Sequence, residues 1–122
     1  MTLLDLYGPE GVKPSNVVYW RGQSGVEYEF YNHPIFTAFS NWPGVYVFSR
    51  LHNGLLHSVY VGETHDFGTR VADKLFEHHA WGRIKRLGAT HVSVRNVPGG
   101  KAERLRVELD LIHGLNPPAN RQ

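Results

Sequence analysis

Four side chains carry most of the chemistry this sequence offers: Tyr46, Tyr60, Arg70 and Glu108. Two phenols, a guanidinium and a carboxylate make a set that handles anions and protons. A guanidinium presents paired donors that match phosphate or carboxylate oxygens. A phenol gives and takes hydrogen bonds, but it is a poor base unless a cation lowers its ordinary pKa of about 10. A carboxylate in a cleft serves as a metal ligand or as an acid–base group.

Glu108 stands out by its position. The stretch "GGKAERLRVELDLIHGLN" has a helical pattern that Gly114 and Pro117 stop. At about 100° per residue, Ile112, Leu105, Leu115 and Leu111 all fall within about 60° of Glu108. Glu108 is therefore expected near the middle of the apolar arc, with Asp110, Glu103 and Arg106 away from it. An ionised carboxylate facing a core costs several kcal/mol unless it is paired or holds a cation. Two readings stand: a buried ion pair with Arg70, or a metal ligand or catalytic carboxylate where the helix meets a sheet. Arg70 serves either one. It lies at the edge of a helical stripe formed by Phe67, Val71, Lys74, Leu75 and His78, with Thr64 or Asp66 as the cap.

The tyrosines sit on strands. In "GVYVF", Val45 and Val47 point one way, and Gly44, Tyr46 and Phe48 the other. In "SVYVG", Val59 and Val61 oppose Ser58, Tyr60 and Gly62. Each tyrosine has a glycine two residues away, which leaves room beside the ring.

The remaining elements have to position these groups. "NVVYW" and "GVEYEFY" flank "RGQSG" as a hairpin, and "NHPIFTAFSNWPG" is a turn-rich connector. "LHNG" joins the two tyrosine strands. "AWGRIKRLG" is a short helix closed by Gly88, and "THVSVRNV" alternates as a strand. The order predicts a small α+β domain on an antiparallel sheet.

Composition narrows the class. A chain of 122 residues is one domain by prior and can bury a core. The absence of cysteine rules out disulfides and thiolate metal sites, and it fits a reducing, cytoplasmic setting. No apolar run approaches the roughly 18 residues of a membrane span. The start, "MTLLDLYGPEG", does not read as a signal peptide.

Residues 70 to 106 hold nine basic residues and three acids, while the rest of the chain is slightly acidic. An anionic partner and a solvated helical face both account for that segment. The adjacent His78 and His79 invite a metal-site reading. Neighbours on a helix point about 100° apart, however, so solvent-exposed histidines are preferred.

"GVY" at 44–46, "YVG" at 60–62, Arg70, Glu108 in "ELDLI" and Asn120 in "NPPAN" together resemble the GIY-YIG nuclease family across residues 44–120. The resemblance implies a three-stranded antiparallel core flanked by helices over 44–122, with residues 1–43 as an N-terminal extension containing a hairpin. It implies an endonuclease that hydrolyses DNA phosphodiester bonds with one divalent ion, Mg2+ or Mn2+. In that reading Glu108 binds the metal, Tyr46 deprotonates or positions the attacking water, Tyr60 supports the phosphate and water network, and Arg70 contacts the scissile phosphate. Gly44, Gly62 and Asn120 are structural.

Lys74, Arg83, Lys85, Arg86, Arg95 and Arg104, with Lys101 and Arg106, are the expected DNA-tracking cations. Lys74, His78 or His79 is the candidate for a further assisting group. The chain departs from the family in two places. The loop between the tyrosines is three residues longer than the commonest spacing, and Glu63 stands where the repair branch has lysine. A binding module that keeps the fold without cutting is the alternative, and a purely structural domain with a buried Glu108–Arg70 pair is a third reading. Strand structure of the DNA, the choice of DNA over RNA, and oligomeric state are left open.

One geometric expectation follows. A two-residue turn at Asn53–Gly54 would pair positions with an odd sum and send Tyr46 and Tyr60 to opposite faces. One cleft needs an even sum, such as Tyr46 near Tyr60. A three- or five-residue loop, or a one-residue bulge around residues 50 to 57, would provide it.

Overall fold

Asn53 and Gly54 both adopt positive φ, 51° and 79°, as the tight turn joining two right-twisted strands requires. They close the central hairpin of a computed structural model that describes residues 11–73 and 75–121. Its strands are β1 (Val17–Arg21), β2 (Glu27–Pro34), β3 (Gly44–His52), β4 (Leu55–Thr64) and β5 (His91–Asn96). Its helices are α1 (Trp81–Arg86) and α2 (Lys101–Leu115). The strands form one antiparallel sheet in the order β1-β2-β5-β3-β4.

The expected three-stranded core is therefore part of a five-stranded sheet. The N-terminal hairpin extends it by pairing β2 with β5. That pairing is reinforced through the interior. Trp20 is buried and its indole N–H donates to Ser93 at 2.9 Å. Asp110 of α2 accepts from the Ser24 N–H and hydroxyl and from the Tyr28 hydroxyl, which ties the hairpin to the helix.

The turn next to Asn53 and Gly54 starts the odd register: His52 faces Leu55 and Ser49 faces Ser58. Phe48 then faces Tyr60, Tyr46 faces Gly62, and Val59 is the extra residue. A one-residue bulge thus converts the register from odd to even. It lies just beyond the expected 50–57 window, and the partner of Tyr46 is Gly62 rather than Tyr60. Val59 consequently packs with the tyrosines and not with Val61.

Two cores result. On one face Tyr46, Phe48, Val59 and Tyr60 pack with Phe67, Val71, Leu75 and Ile84. On the other, Val45, Val47 and Val61 pack with Trp20, Phe30, Val107 and Leu111. Phe67, Val71, Leu75 and His78 are buried on the first core's side as expected, but not on a regular helix. Asp66 accepts the Thr69 N–H and hydroxyl, a π-type turn spans Thr69–Asp73, and a 3-10 turn spans Leu75–Glu77.

α2 buries Arg104, Val107 and Leu111, while Leu105 and Leu109 are exposed. Its buried arc is thus rotated toward Leu111, and Glu108 lies on the flank of the arc, not at its middle. Asn116, left-handed at φ 48°, ends this helix, which runs through Gly114. Among the described residues no helix is long and apolar enough to cross a membrane.

Asn120 holds the outer edge of β4. Its side chain accepts from the Val61 N–H at 2.8 Å and donates to the Val61 carbonyl at 2.9 Å, as another strand would. Gly62, opposite Tyr46, is set by space: a Cβ there would collide with the Tyr46 hydroxyl. Gly44 is tight as well, against the Arg95 carbonyl and the Phe67 ring. Gly62→Ala is expected to destabilise the fold by about 1–3 kcal/mol through overpacking. Chemical denaturation checks this, and an unchanged midpoint would mean that Tyr46 is not seated against β4.

Candidate active site

Tyr46 and Tyr60 lie on one face with ring centroids 6.3 Å apart. Tyr46 is 1% exposed. Burial, then the neighbouring Tyr60, pushes its hydroxyl well above the ordinary phenol range, with Glu108 adding to the rise and Arg70 opposing it. Burial also raises Tyr60, followed by the charge of Glu108, while Arg70 and Arg83 oppose the shift.

Each tyrosine has its own histidine. His78 Nε2 lies 2.6 Å from the Tyr46 hydroxyl, and His79 Nε2 lies 3.1 Å from the Tyr60 hydroxyl. The imidazoles stack at 4.8 Å and 18°. Their tautomers follow from their other partners. His78 Nδ1 faces the Ala80 N–H at 3.0 Å, and His79 Nδ1 faces the Arg70 guanidinium at 3.0 Å. A backbone N–H and a guanidinium only donate. Both Nδ1 atoms are therefore acceptors, and in the neutral rings both Nε2 atoms carry the proton. Each histidine then donates to a phenol oxygen and takes no proton from it.

Burial, then the positive charges of Arg70, His79 and Arg83, holds His78 down to about 3, so it is neutral at ordinary pH. His79 is lowered too, by burial and then by Arg70 and Arg83. The expectation of two solvent-exposed histidines fails for His78, which is buried. Neighbours point about 100° apart only on a regular helix, and the chain here passes through π-type and 3-10 turns. The Nδ1 contacts also leave the two rings unavailable as a shared metal site.

Arg70 reaches the centre of this group. It donates to His79, and its charge opposes the upward shift of Tyr46. It also lines a cleft of about 450 Å³ with Glu63, Asp66, Thr69, Lys101 and Arg104. Glu108 is half-buried, and the Glu63 backbone N–H favours its charged form. Burial, then the charge of Glu63, pushes it up to about 7 against the help of that N–H and of Lys101. The expected alternative of a Glu108–Arg70 ion pair is not made. Among the described residues the ion pairs are Glu63–Arg104, at 2.9 Å and largely buried, and Glu103–Arg106 at the surface.

The basic residues do not form one surface. Lys85 and Arg86 are exposed on α1. Arg83 donates to the Ala119 carbonyl, and its charge acts on Tyr60 and both histidines, which places it beside the site. Arg95 lies apart from these: it donates to the Glu29 carbonyl and lies over Tyr28, whose core is on the face away from the tyrosines. Arg104 is spent on Glu63 and Arg106 on Glu103. Lys74 lies outside the described residues.

Sequence reasoning missed the Glu63–Arg104 pair and the separate roles of the two histidines. Glu63 follows the "YVG" glycine, so its departure from the family pattern was the available signal. Nothing in the residue spacing marked Arg104 as its partner. No family model, curated protein or solved structure matches the chain.

A divalent ion of the magnesium type needs oxygen ligands and accepts one or two carboxylates with water and phosphate completing the shell. Among the described residues no group of three or more acidic or imidazole side chains is gathered at one point. Glu108 meets the smaller requirement. The Glu63 charge that raises its proton affinity also attracts a cation, while burial works against any bare charge there.

Two measurements check this site. Histidine nitrogen chemical shifts are expected to show both rings as Nε2–H tautomers at neutral pH, with His78 staying neutral until pH falls toward about 3. An Nδ1–H form of His78 would break the assignment. The second concerns Glu108, whose folded-state pKa of about 7 lies above its ordinary 4.5. Its stabilising contribution is present below 4.5 and is lost as pH rises through 7. In chelator, Glu108→Gln should melt higher than the parent protein above neutral pH and at the same temperature near pH 4.5. Equal melting throughout would contradict a strained carboxylate.

Proposed function

We propose that this protein is a metal-dependent endonuclease of the GIY-YIG type that hydrolyses phosphodiester bonds in DNA. The observation that carries the reading is the meeting of Tyr46, Tyr60 and Arg70 in one cluster, joined through the stacked His78 and His79.

The residues divide the work of phosphodiester hydrolysis among them. Arg70 presents guanidinium N–H groups to the cleft, where they neutralise charge growing on phosphate oxygens. Its contact with His79 fixes the direction of the guanidinium. Tyr60 accepts from His79, so its own O–H is left for water or a phosphate oxygen. Tyr46 accepts from His78 and is near Arg70, so a negative charge on its oxygen would meet two donors. That arrangement suits a phenol that protonates the leaving oxygen and recovers a proton from the attacking water, against the burial and the Tyr60 and Glu108 charges that oppose its ionisation. His78 and His79 are positioning residues, because both act through a tyrosine.

Glu108, with Glu63 beside it, would hold the divalent ion. When bound, that ion would polarise the phosphate, assist the leaving oxygen and lower the proton affinity of neighbouring groups. The exposed Lys85 and Arg86 and the cleft's Lys101 supply the remaining attraction for a polyanion.

The test is cleavage of labelled single-stranded, duplex and branched DNA with Mg2+, with Mn2+ and with chelator. The expected result is cutting that needs the metal and falls at least about 100-fold in Glu108→Ala and in Arg70→Lys, the scale of losing one transition-state donor. Both variants should keep their fold by circular dichroism. Metal-dependent DNA binding without cutting would favour the binding-module reading, and a Glu108→Ala protein that cuts normally would end the nuclease assignment.

A further inference from the structure

A second hollow lies on the tyrosine face of the sheet, across the 66–70 turn from the Arg70 cleft. Its volume is about 250 Å³. Rings make most of its wall: Tyr31 from β2, Phe39 and Trp42 from the connector before β3, and Phe67 from the turn. Ser40 and Asn96 add polar groups at its edge. Tyr31 and Trp42 are each 54% exposed.

The register explains why it sits there. Tyr31 pairs with Val94, and Val94 pairs with Tyr46. Directly opposed residues share a face, so the hollow and the buried phenol belong to one cross-sheet row. Phe67, in its wall, precedes Arg70 in the same turn. The connector is fastened over this row by the Phe67 N–H, which donates to the Trp42 carbonyl at 2.9 Å.

The chemistry of the lining selects the occupant. The space is below the roughly 300–1,000 Å³ of pockets for drug-sized ligands, and suits one planar ring system. Exposed aromatic faces stack any nucleobase, while an amide and a hydroxyl at the edge supply donors and acceptors for its polar rim. A base inside a duplex already has both faces stacked and cannot enter. The guanidinium across the turn adds attraction for the phosphate of the same strand, which an apolar peptide would not use.

We propose that this hollow binds an unpaired base of the DNA strand being cut, stacked on Trp42 and Tyr31, and that the protein therefore selects DNA with a single-stranded stretch beside the scissile phosphate. The inference rests on the nuclease reading above and names its substrate class. Trp42 and Tyr31 are binding residues in this scheme and take no part in the chemistry.

The experiment is binding of the full chain, in chelator, to a fluorescent single-stranded oligodeoxynucleotide and to the same sequence as a blunt duplex. The single strand should bind more tightly and quench tryptophan fluorescence. Trp42→Ala should weaken single-strand binding about tenfold or more, the scale of one lost stacking contact, and leave duplex binding and melting temperature unchanged. Trp42→Phe, which keeps a ring, should retain most of the affinity. Equal affinity for both forms, or a Trp42→Ala protein that holds the single strand as the parent does, would overturn this proposal and leave the nuclease reading standing. Binding to neither DNA would overturn both.

Discussion

The single extra residue in β4 decides what this sheet can do. The tight Asn53–Gly54 turn starts the central hairpin in a register that would put Tyr46 and Tyr60 on opposite faces. Val59 bulges, the register moves by one, and both phenols come to the same side. The bulge also releases Val59 into the tyrosine core while Val61 stays in the other. Side-chain alternation has a period of two, so no smaller adjustment would do this. The seat of Tyr46 against Gly62 and the stacked histidines both build on that shared face.

The charged groups obey a second constraint, set by burial. Each group drawn toward the cores has a specific answer to its desolvation. Arg104 and Glu63 form an ion pair. His78 stays uncharged, with its one lone pair held by a backbone N–H. Asp110 is surrounded by three donors from the N-terminal hairpin and is held below the ordinary carboxylate range by the Ser24 and Tyr28 hydroxyls. Glu108 alone among these has a single N–H and a nearby negative charge, and its carboxyl is pushed up as a result. A carboxylate left in that condition lowers the stability of the fold above neutral pH, which makes it a candidate functional group.

Much of this was legible in the sequence, for physical reasons. The hairpin flanking "RGQSG", the tyrosine strands and the "THVSVRNV" strand follow from alternation and turn residues. The even register followed from requiring two aromatics on one face despite an "NG" turn. Glu108 was visible as a charge breaking an apolar pattern, although the arc turned out to be centred on its other flank, with Leu105 in solvent. Other features were hidden because they depend on irregular backbone or on distant partners. A wheel drawn through 66–79 assumes uniform pitch, and the π-type and 3-10 turns there bring His78 and His79 into a stack instead of spreading them. The fate of each arginine depends on its nearest acceptor. Arg95, Arg104 and Arg83 find the Glu29 carbonyl, Glu63 and the Ala119 carbonyl, and none of these is adjacent in sequence.

The central claim is that the strained Glu108 carboxylate, beside Glu63 of β4, is a cation seat. Titration of the isotope-labelled chain with Mn2+, followed by paramagnetic broadening of its amide resonances, tests it without any substrate. The account predicts broadening centred on Glu108 and on the Tyr60–Thr64 end of β4, abolished by Glu108→Gln. Broadening elsewhere in the chain, or a pattern that survives Glu108→Gln, would contradict it.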